Sequence, residues 1–169
     1  RELDEALAQV EKESAADVIY LVDSFGALYS EQISYLATKY KGAMPSREIG
    51  IHAHNNQQLA FANTIEAIIQ GINYLDGTIF GIGRAAGNCP LELLLGFLKN
   101  PKFNIRPILD ILGRDFVKLR EEIEWGYTIP YMITGILDLH PRAGMKLRNS
   151  EDKDEYLGFY EKLTSEANV

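Results

Sequence analysis

The sequence has few of the features typical of secreted, membrane or nucleic-acid-binding proteins. Its 169 residues include one cysteine, Cys89, which cannot form a disulfide within the chain and favours a reducing compartment. No apolar run reaches the roughly 18 residues that a membrane span requires, and we expect no signal segment. Acidic residues outnumber basic ones by 24 to 17, for a formal net charge of −7. Nucleic acid and anionic membranes are therefore not expected partners, and the cytoplasm is the expected location.

The length and the first residues suggest how much of a protein this chain represents. A chain of this size is expected to form one domain with a core of its own, without disulfides or metal to stabilise it. The first residue is Arg1, and no methionine occurs before Met44. We therefore expect the chain to be the remainder of a longer protein.

Helix-like and strand-like segments alternate up to about residue 100. A helix with one apolar stripe over 1–15 is predicted to precede the first strand. The predicted strands are ADVIYLVDS, REIGIHAHNN and INYLDGTIFGIG, and the helices between and after them cover 29–40, 57–70 and 90–100. Ser30 and Asn88 are the expected N-caps, and Gly71 is the expected helix stop. Such alternation favours a parallel sheet with right-handed crossovers, either an open sheet or a barrel.

The pattern changes after Pro101, where no further β-rich run occurs. Residues 105–125 and 154–167 have the periodicity of amphipathic helices, and Pro130, Pro141 and Gly144 predict breaks between them. We therefore divide the chain into β/α units over 1–103 and a helical extension over 104–169. No strand is expected in the extension.

Two histidines are the most informative candidates for a functional site. In parallel α/β sheets, ligands bind at the carboxyl ends of the strands, and the predicted second strand ends in His52-Ala53-His54. Residues two apart on a strand point to the same face, so both imidazoles can reach one metal ion. The alternative is an ordinary hydrogen-bonded or surface role for each histidine.

Two other strand-end loops carry polar residues. Asp23 ends the first predicted strand, and we expect its carboxylate to share the mouth with the histidines, the alternative being a turn-forming aspartate. The loop from Gly81 to Asn88 is rich in glycine but lacks the spacing and context of a dinucleotide-binding loop. Its asparagine is a candidate either for a metal ligand or for a helix cap.

Several other reactive or aromatic side chains are better explained by packing. No histidine lies near Cys89 in sequence to activate its thiol, so we interpret it as a packed residue. His140 belongs to no metal-like spacing. Trp125, Tyr127, Tyr131 and Met132 are expected to pack the extension.

Three segments, VDSFGA, IGIHAHNNQQLAFAN and LDGTIFGIGRAAGNCPLE, together resemble the HMG-CoA lyase-like family of metal-dependent aldolases and lyases, also called DRE-TIM enzymes. The resemblance covers roughly residues 15–98 and is closest to the 4-hydroxy-2-oxovalerate aldolase branch. It implies a C-terminal part, about three β/α units, of a (β/α)₈ TIM barrel. It implies metal ligation by His52, His54 and Asn88, and a place near the substrate for Asp23, assigned here as the catalytic residue.

The same resemblance implies that part of the site is supplied elsewhere. Family members carry a third protein ligand, an aspartate, and an adjacent arginine on the first strand, and the segments found here correspond to the sixth to eighth strands. Lyases acting on HMG-CoA have a cysteine earlier in the glycine loop, where this chain has Gly83, Arg84 and Ala85. The role of that cysteine is therefore not transferred to Cys89.

The function that the resemblance implies is cleavage of a 4-hydroxy-2-oxo acid to pyruvate and an aldehyde. A divalent ion (Mn, Zn, Co or Mg) is the expected cofactor, and the expected partners are a small 2-oxo acid and either further copies of the chain or the missing N-terminal part. One alternative is a Claisen-type acyltransferase of the isopropylmalate synthase kind. Another is a non-catalytic barrel remnant that binds a partner through residues 104–169.

Overall fold

A computed structural model describes residues 2–167 and shows three parallel strands flanked by helices. The strands are β1 (Val18–Asp23), β2 (Glu48–Ala53) and β3 (Tyr74–Leu75), in the order β1-β2-β3. The helices of this part are α1 (Glu2–Glu13), α2 (Ser30–Ala43), α3 (Ala60–Ile69) and α4 (Leu91–Leu98). Helices follow each strand, which is the parallel β/α alternation that the sequence predicted.

The two faces of the sheet differ because alternate strand residues point in opposite directions. Leu21, Ile51 and Ala53 lie on one face, which we call the helix-covered face, and are buried in the core with side chains from α1 to α4. The opposite face, which we call the histidine face, is relatively open. It consists of Tyr20, Val22, Gly50, His52 and Tyr74.

Because Gly50 has no side chain, the ring of Tyr20 can cover part of the histidine face. A Cβ atom at this position would lie 2.6 Å from the ring of Tyr20, so that ring extends across the bare backbone of β2. Beyond it, Val22 is 48% exposed. The same sheet thus has one packed face and one face with apolar and polar groups open to a ligand.

Gly71 ends α3 as predicted. Its φ angle is +81°, and its N–H donates to the carbonyl of Ile68 while the next N–H, of Ile72, donates to Ala67. This pair of bonds is a Schellman motif, which favours glycine because the left-handed conformation has no Cβ penalty there.

The two predicted N-caps are wrong. Helix α2 is preceded by Tyr29, whose N–H donates to the side chain of Gln32, so Ser30 lies inside the first turn. Helix α4 is preceded by Pro90, and the side chain of Asn88 donates instead to the carbonyl of Ile82. Local preference for a cap is weak here, because the strand-end loops form other hydrogen bonds for these residues.

The third strand is much shorter than predicted. The sequence suggested strand structure up to residue 83, but β3 ends at Leu75 and a 3₁₀ helix occupies Ile79–Gly81. The backbone of this segment pairs with the following loop: the N–H of Thr78 donates to Cys89, and the N–H of Asn88 donates to Gly81. The apolar composition of this segment predicted that it is buried, but not that its backbone pairs with the following loop.

After residue 103, the part of the chain that the structure describes contains helices joined by turns and no strand, as predicted. A π-helical segment, Leu112–Phe116, joins the first two into one rod. The elements are α5 (Arg106–Ile111), α6 (Val117–Glu122), α7 (Ile129–Ile136), α8 (Arg142–Arg148) and α9 (Tyr156–Ala167). Of the expected breaks, Pro141 lies between α7 and α8 and Pro130 lies in the first turn of α7, whereas Gly144 lies inside α8 and breaks no helix. The division of the chain at residue 103 stays a prediction.

Within residues 2–167, no helix is both long enough and apolar enough to cross a bilayer.

Candidate metal and substrate site

The two predicted metal ligands lie side by side at the carboxyl end of β2. His52 is in the strand, His54 follows it, and their ring centroids are 5.2 Å apart with the rings inclined at 77°. Both side chains are partly buried. The spacing of two residues therefore has the consequence expected of it, because it brings both imidazoles to one side of the strand end.

Each ring is held through its Nδ1 atom by an oxygen acceptor. Nδ1 of His52 lies 3.0 Å from Oδ2 of Asp76, and Nδ1 of His54 lies 3.2 Å from the carbonyl oxygen of Gly87. These contacts place the proton of a neutral imidazole on Nδ1, which leaves the Nε2 lone pair as the ligand atom. Metal-binding histidines are oriented in this way by their second ring nitrogen.

The electrostatic environment favours a neutral His54. Burial, followed by the charges of His52 and Arg84, lowers the pKa of His54 below its ordinary value, while the bond to Gly87 acts in the opposite direction. A neutral imidazole is the form that ligates a metal.

Asn88 lies next to His54 because the loop before α4 pairs with the end of β2. The two residues form an isolated antiparallel bridge, in which Asn55 donates to Gly87 and Cys89 donates to Ala53. The amide nitrogen of Asn88 donates to Ile82, at 3.1 Å, which identifies the other side-chain atom as Oδ1. This oxygen is buried and has no hydrogen-bond partner among residues 2–167. A buried acceptor without a partner is costly unless a ligand satisfies it.

The residues present therefore fit a divalent ion in part. Two imidazole nitrogens and one amide oxygen form a mixed donor set typical of Mn, Zn or Co sites. Within the described residues, no group of three or more histidine, cysteine, aspartate or glutamate side chains could hold a metal ion. The donor set is thus incomplete in charged ligands.

The expectation that Asp23 shares a mouth with the histidines is wrong. Asp23 pairs in register with Ala53, and Val22 pairs with His52, so the Asp23 side chain points to the helix-covered face. It is 4% exposed, and its oxygens accept the N–H groups of Ala27 and Leu28. Burial raises its pKa, and these amides oppose the rise. Its geometry is that of a turn-forming aspartate, and its catalytic role stays a prediction.

The C-terminal helices pack against the strand-end loops. Asn56 donates to the carbonyl of Tyr131 in α7, and the indole N–H of Trp125 donates to Phe80 at 2.8 Å. Phe80 has a φ angle of +56°, which is unusual for an aromatic residue. This strained conformation is stabilised by an edge-on contact of the Phe80 ring with Trp125 and by the guanidinium of Arg120, which lies 4.8 Å from the Phe80 ring. The extension thus helps to fix the loop that carries Asn88.

Cys89 is a packed residue, as expected. It is fully buried in the core cluster, and burial raises the pKa of its thiol to about 11. The thiol is therefore protonated at neutral pH and is a poor nucleophile.

The sequence reasoning missed Asp76 and Tyr20. Asp76 follows β3 directly and contacts His52, and burial, the charge of Asp76 and its hydrogen bonding raise the pKa of the Tyr20 hydroxyl. The position of Asp76 could have identified it as a site residue, because it follows an apolar strand just as Asp23 does. Tyr20 gave no signal beyond its place in a β-rich run.

A parallel β/α sheet with paired histidines and polar loops at the strand ends is the arrangement of barrel-type enzymes. The HMGL-like family model matches residues 2–112, which include all three strands and their loops. The chain belongs to the HMGL-like family, and the resemblance found from the sequence is confirmed.

Curated relatives are similar over the β/α part. The chain is 42% identical over 96 residues to a 4-hydroxy-2-oxovalerate aldolase of Thermus thermophilus, covering 57% of this chain and 27% of that protein. It is 40% identical over 82 residues to an oxaloacetate decarboxylase of Mycobacterium tuberculosis, covering 48% of this chain and 24% of that protein. The chain thus spans about a quarter of the length of these relatives.

Solved structures confirm the fold class, which is part of a TIM barrel followed by helices. The N-terminal domain of a Bacteroides vulgatus protein described as an aldolase matches with a TM-score of 0.76 and 33% identity, over 87% of this chain and 49% of that one. The carboxyl transferase domain of Rhizobium etli pyruvate carboxylase matches with a TM-score of 0.69 over 98% of this chain and 28% of that one. At 16% identity, the second match shows the fold alone.

Proposed function

We propose that the protein containing this chain is a divalent-metal-dependent aldolase that cleaves a 4-hydroxy-2-oxo acid to pyruvate and an aldehyde. This chain supplies part of the active site. The observation that carries the proposal is the pair of histidines held through Nδ1 next to the unpaired oxygen of Asn88, in a chain of the HMGL-like family. The similarity to 4-hydroxy-2-oxovalerate aldolases supports the substrate class.

In this proposal, Nε2 of His52, Nε2 of His54 and Oδ1 of Asn88 hold the ion, which is Mn, Zn, Co or Mg. When bound, a divalent ion supplies positive charge that polarises the carbonyl of the 2-oxo acid. The carboxylate that completes the ligand set and the general base are placed in the part of the protein outside this chain.

The proposed cleavage breaks the bond between C3 and C4 of the substrate. The C4 hydroxyl loses its proton as the aldehyde forms, and C3 gains a proton to give pyruvate. Asp76 keeps His52 in the tautomer with a free Nε2. Asp23 acts by position: its carboxylate holds the turn after β1, and its carbonyl accepts the N–H of His54 at 3.2 Å.

Decarboxylation of oxaloacetate is a second candidate, and the similarity to the oxaloacetate decarboxylase of M. tuberculosis favours it. This reaction also breaks a C3–C4 bond in a 2-oxo acid and leaves pyruvate, with carbon dioxide replacing the aldehyde. The same donors would therefore serve both reactions. The two candidates differ in the fragment that carries C4 away from C3, which is an aldehyde in one reaction and carbon dioxide in the other.

The chain is also proposed to associate with the rest of a barrel. Val22 and Tyr74 on the histidine face are 48% and 43% exposed, which leaves apolar surface for further strands to cover. Self-association is the alternative. The cytoplasm stays the proposed location, because a chain with a single cysteine cannot form an internal disulfide.

The test is a calorimetric titration with Mn²⁺, together with an assay of pyruvate release from 4-hydroxy-2-oxovalerate. We expect the 169-residue chain alone to bind weakly and to release no pyruvate, because two imidazoles and one amide lack a charged ligand. Mixing with the upstream segment should restore tight binding and turnover. His52→Ala and His54→Ala should abolish both in the mixture.

The matched control is Asp110→Asn, which changes an exposed carboxylate on α5 and should leave both readouts unchanged. Turnover by the chain alone would show that the constellation has been misplaced. A mixture that binds Mn²⁺ but cleaves only oxaloacetate would favour the second candidate, and a mixture without any activity would favour a barrel remnant.

A further inference from the structure

Two basic side chains, of Arg84 and His140, contact the turn after β1, at the mouth formed by the strand ends. The guanidinium of Arg84 donates to the carbonyl of Ser24 at 3.0 Å. The ring of His140 packs edge-on against Phe25, the next residue, with centroids 5.4 Å apart. The N–H of Arg142 donates to Nδ1 of His140 at 3.1 Å. The guanidinium of Arg84 and the ring of His140 thus meet at one turn from two parts of the chain, and Arg142 holds His140 through its backbone N–H.

Arg84 also lies close to the paired histidines. It opens the turn that ends at Gly87, since the Gly87 N–H donates to the Arg84 carbonyl at 3.0 Å, and the Gly87 carbonyl in turn holds the ring of His54. The charge of Arg84 contributes to lowering the pKa of both His54 and His140, which agrees with a position near both rings. Arg84 is exposed, whereas residues 85–89 that follow it are buried.

Asp138 lies two residues before His140, but within the described part of the chain it forms no ion pair with Arg84 or His140. Acidic residues exceed basic ones in the chain, yet neither Arg84, Arg142 nor His140 forms a salt bridge with any of residues 2–167. The carboxylate of Asp23 lies one residue before Ser24, but it points to the helix-covered face and binds backbone amides. An arginine at a site mouth without a carboxylate partner is available to an anionic ligand.

The remaining donors suit a planar anion. One N–H of Arg84 is used by Ser24, and the other guanidinium N–H groups keep the fork geometry that matches the two oxygens of a carboxylate. His140 accepts a hydrogen bond at Nδ1, so in its neutral form the proton is on Nε2, which is a further donor.

We propose that Arg84, supported by His140, binds a carboxylate at the end of the substrate remote from the 2-oxo group. The preferred substrate is then a dicarboxylic 2-oxo acid. This inference rests on the proposed function and specifies its substrate class.

Two pairs of compounds test the proposal in the reconstituted protein with Mn²⁺. The pair 4-hydroxy-2-oxoglutarate and 4-hydroxy-2-oxovalerate differs only by a carboxylate in place of a methyl group at C5, and both members carry the C4 hydroxyl and the C3–C4 bond that the proposed cleavage requires. The pair 2-oxoglutarate and 2-oxovalerate differs in the same way but lacks the C4 hydroxyl, so it reports binding without turnover.

We expect the acidic member of each pair to be favoured, by kcat/KM and by Kd respectively. Arg84→Gln should lower that preference by about tenfold or more, mainly through KM, because a contact remote from the reacting bond stabilises ground state and transition state alike. Arg84→Lys should lower it less, since the charge stays while the fork is lost. Arg106→Gln is the control, because Arg106 lies beside the carboxyl end of α4 and away from the mouth.

Equal loss for both members in Arg84→Gln would overturn the proposal and leave Arg84 as a residue that only positions the loop through Ser24. A wild-type preference for the methyl compounds would overturn it as well. These results would leave the proposed function intact, since cleavage of 4-hydroxy-2-oxovalerate would remain. Failure of all four compounds to bind would overturn both proposals.

Discussion

The two faces of the three-stranded sheet are made by alternate residues of the same strands, yet they differ in burial and in polarity. On the helix-covered face, apolar side chains such as Leu21 and Ile51 are packed in the core. On the histidine face, Val22 and Tyr74 are exposed while Tyr20, Asp76 and His52 form a polar contact network. One face therefore stabilises the fold, and the other presents chemistry. Strand alternation alone can therefore separate stability from function in this chain.

The largest effect should come from truncating the helix-covered face. Ile51→Ala removes a fully buried side chain, so it should lower the free energy of unfolding by about 2–5 kcal/mol. Val22→Ala, on the other face one strand away, should cost less than about 1 kcal/mol, because Val22 is 48% exposed. Urea denaturation of the chain measures both. Equal losses would show that the two faces are equally packed.

On the histidine face, Asp76→Asn should change metal binding more than stability. Loss of the carboxylate that holds Nδ1 of His52 should weaken Mn²⁺ binding by about 10–100-fold. Calorimetry measures the affinity, and ¹⁵N chemical shifts of the His52 ring report whether the proton has left Nδ1. Unchanged affinity together with an unchanged tautomer would exclude a positioning role for Asp76.

The buried thiol on the helix-covered side should make the free energy of unfolding depend on pH in the alkaline range. The pKa of the buried Cys89 thiol is about 11, against an ordinary value of 9.0, so the unfolded chain loses this proton at lower pH than the folded chain. Stability should therefore fall as pH rises from about 9 to 11, by about 2 kcal/mol in total from this group. Unfolding free energies at pH 8 and 11 measure it. Cys89→Ala should flatten this part of the profile, and an identical slope in the variant would contradict the assignment.

The smallest effect concerns the loop above the histidine face. A Cβ at Gly83 would lie 2.5 Å from Nδ2 of Asn88, so Gly83→Ala should displace that amide and weaken Mn²⁺ binding on the order of tenfold or less. Gly96→Ala is the matched control: nothing lies within 4 Å of its added methyl, and the helix should gain about 0.5–1 kcal/mol with unchanged affinity. Calorimetry on both variants separates the two outcomes.

The sequence by itself determined the β/α alternation, the helical part after residue 103, the end of α3 at Gly71 and the proximity of His52 to His54. Each of these follows from a local rule: hydrophobic period, glycine conformation or the two-residue repeat of a strand. Tertiary structure decided the rest. The end of β3, the partner of Asn88, the face occupied by Asp23 and the contact of Asp76 with His52 depend on strand register and on which loop satisfies which backbone group. Those choices are settled by pairing between residues distant in sequence, which no local pattern encodes.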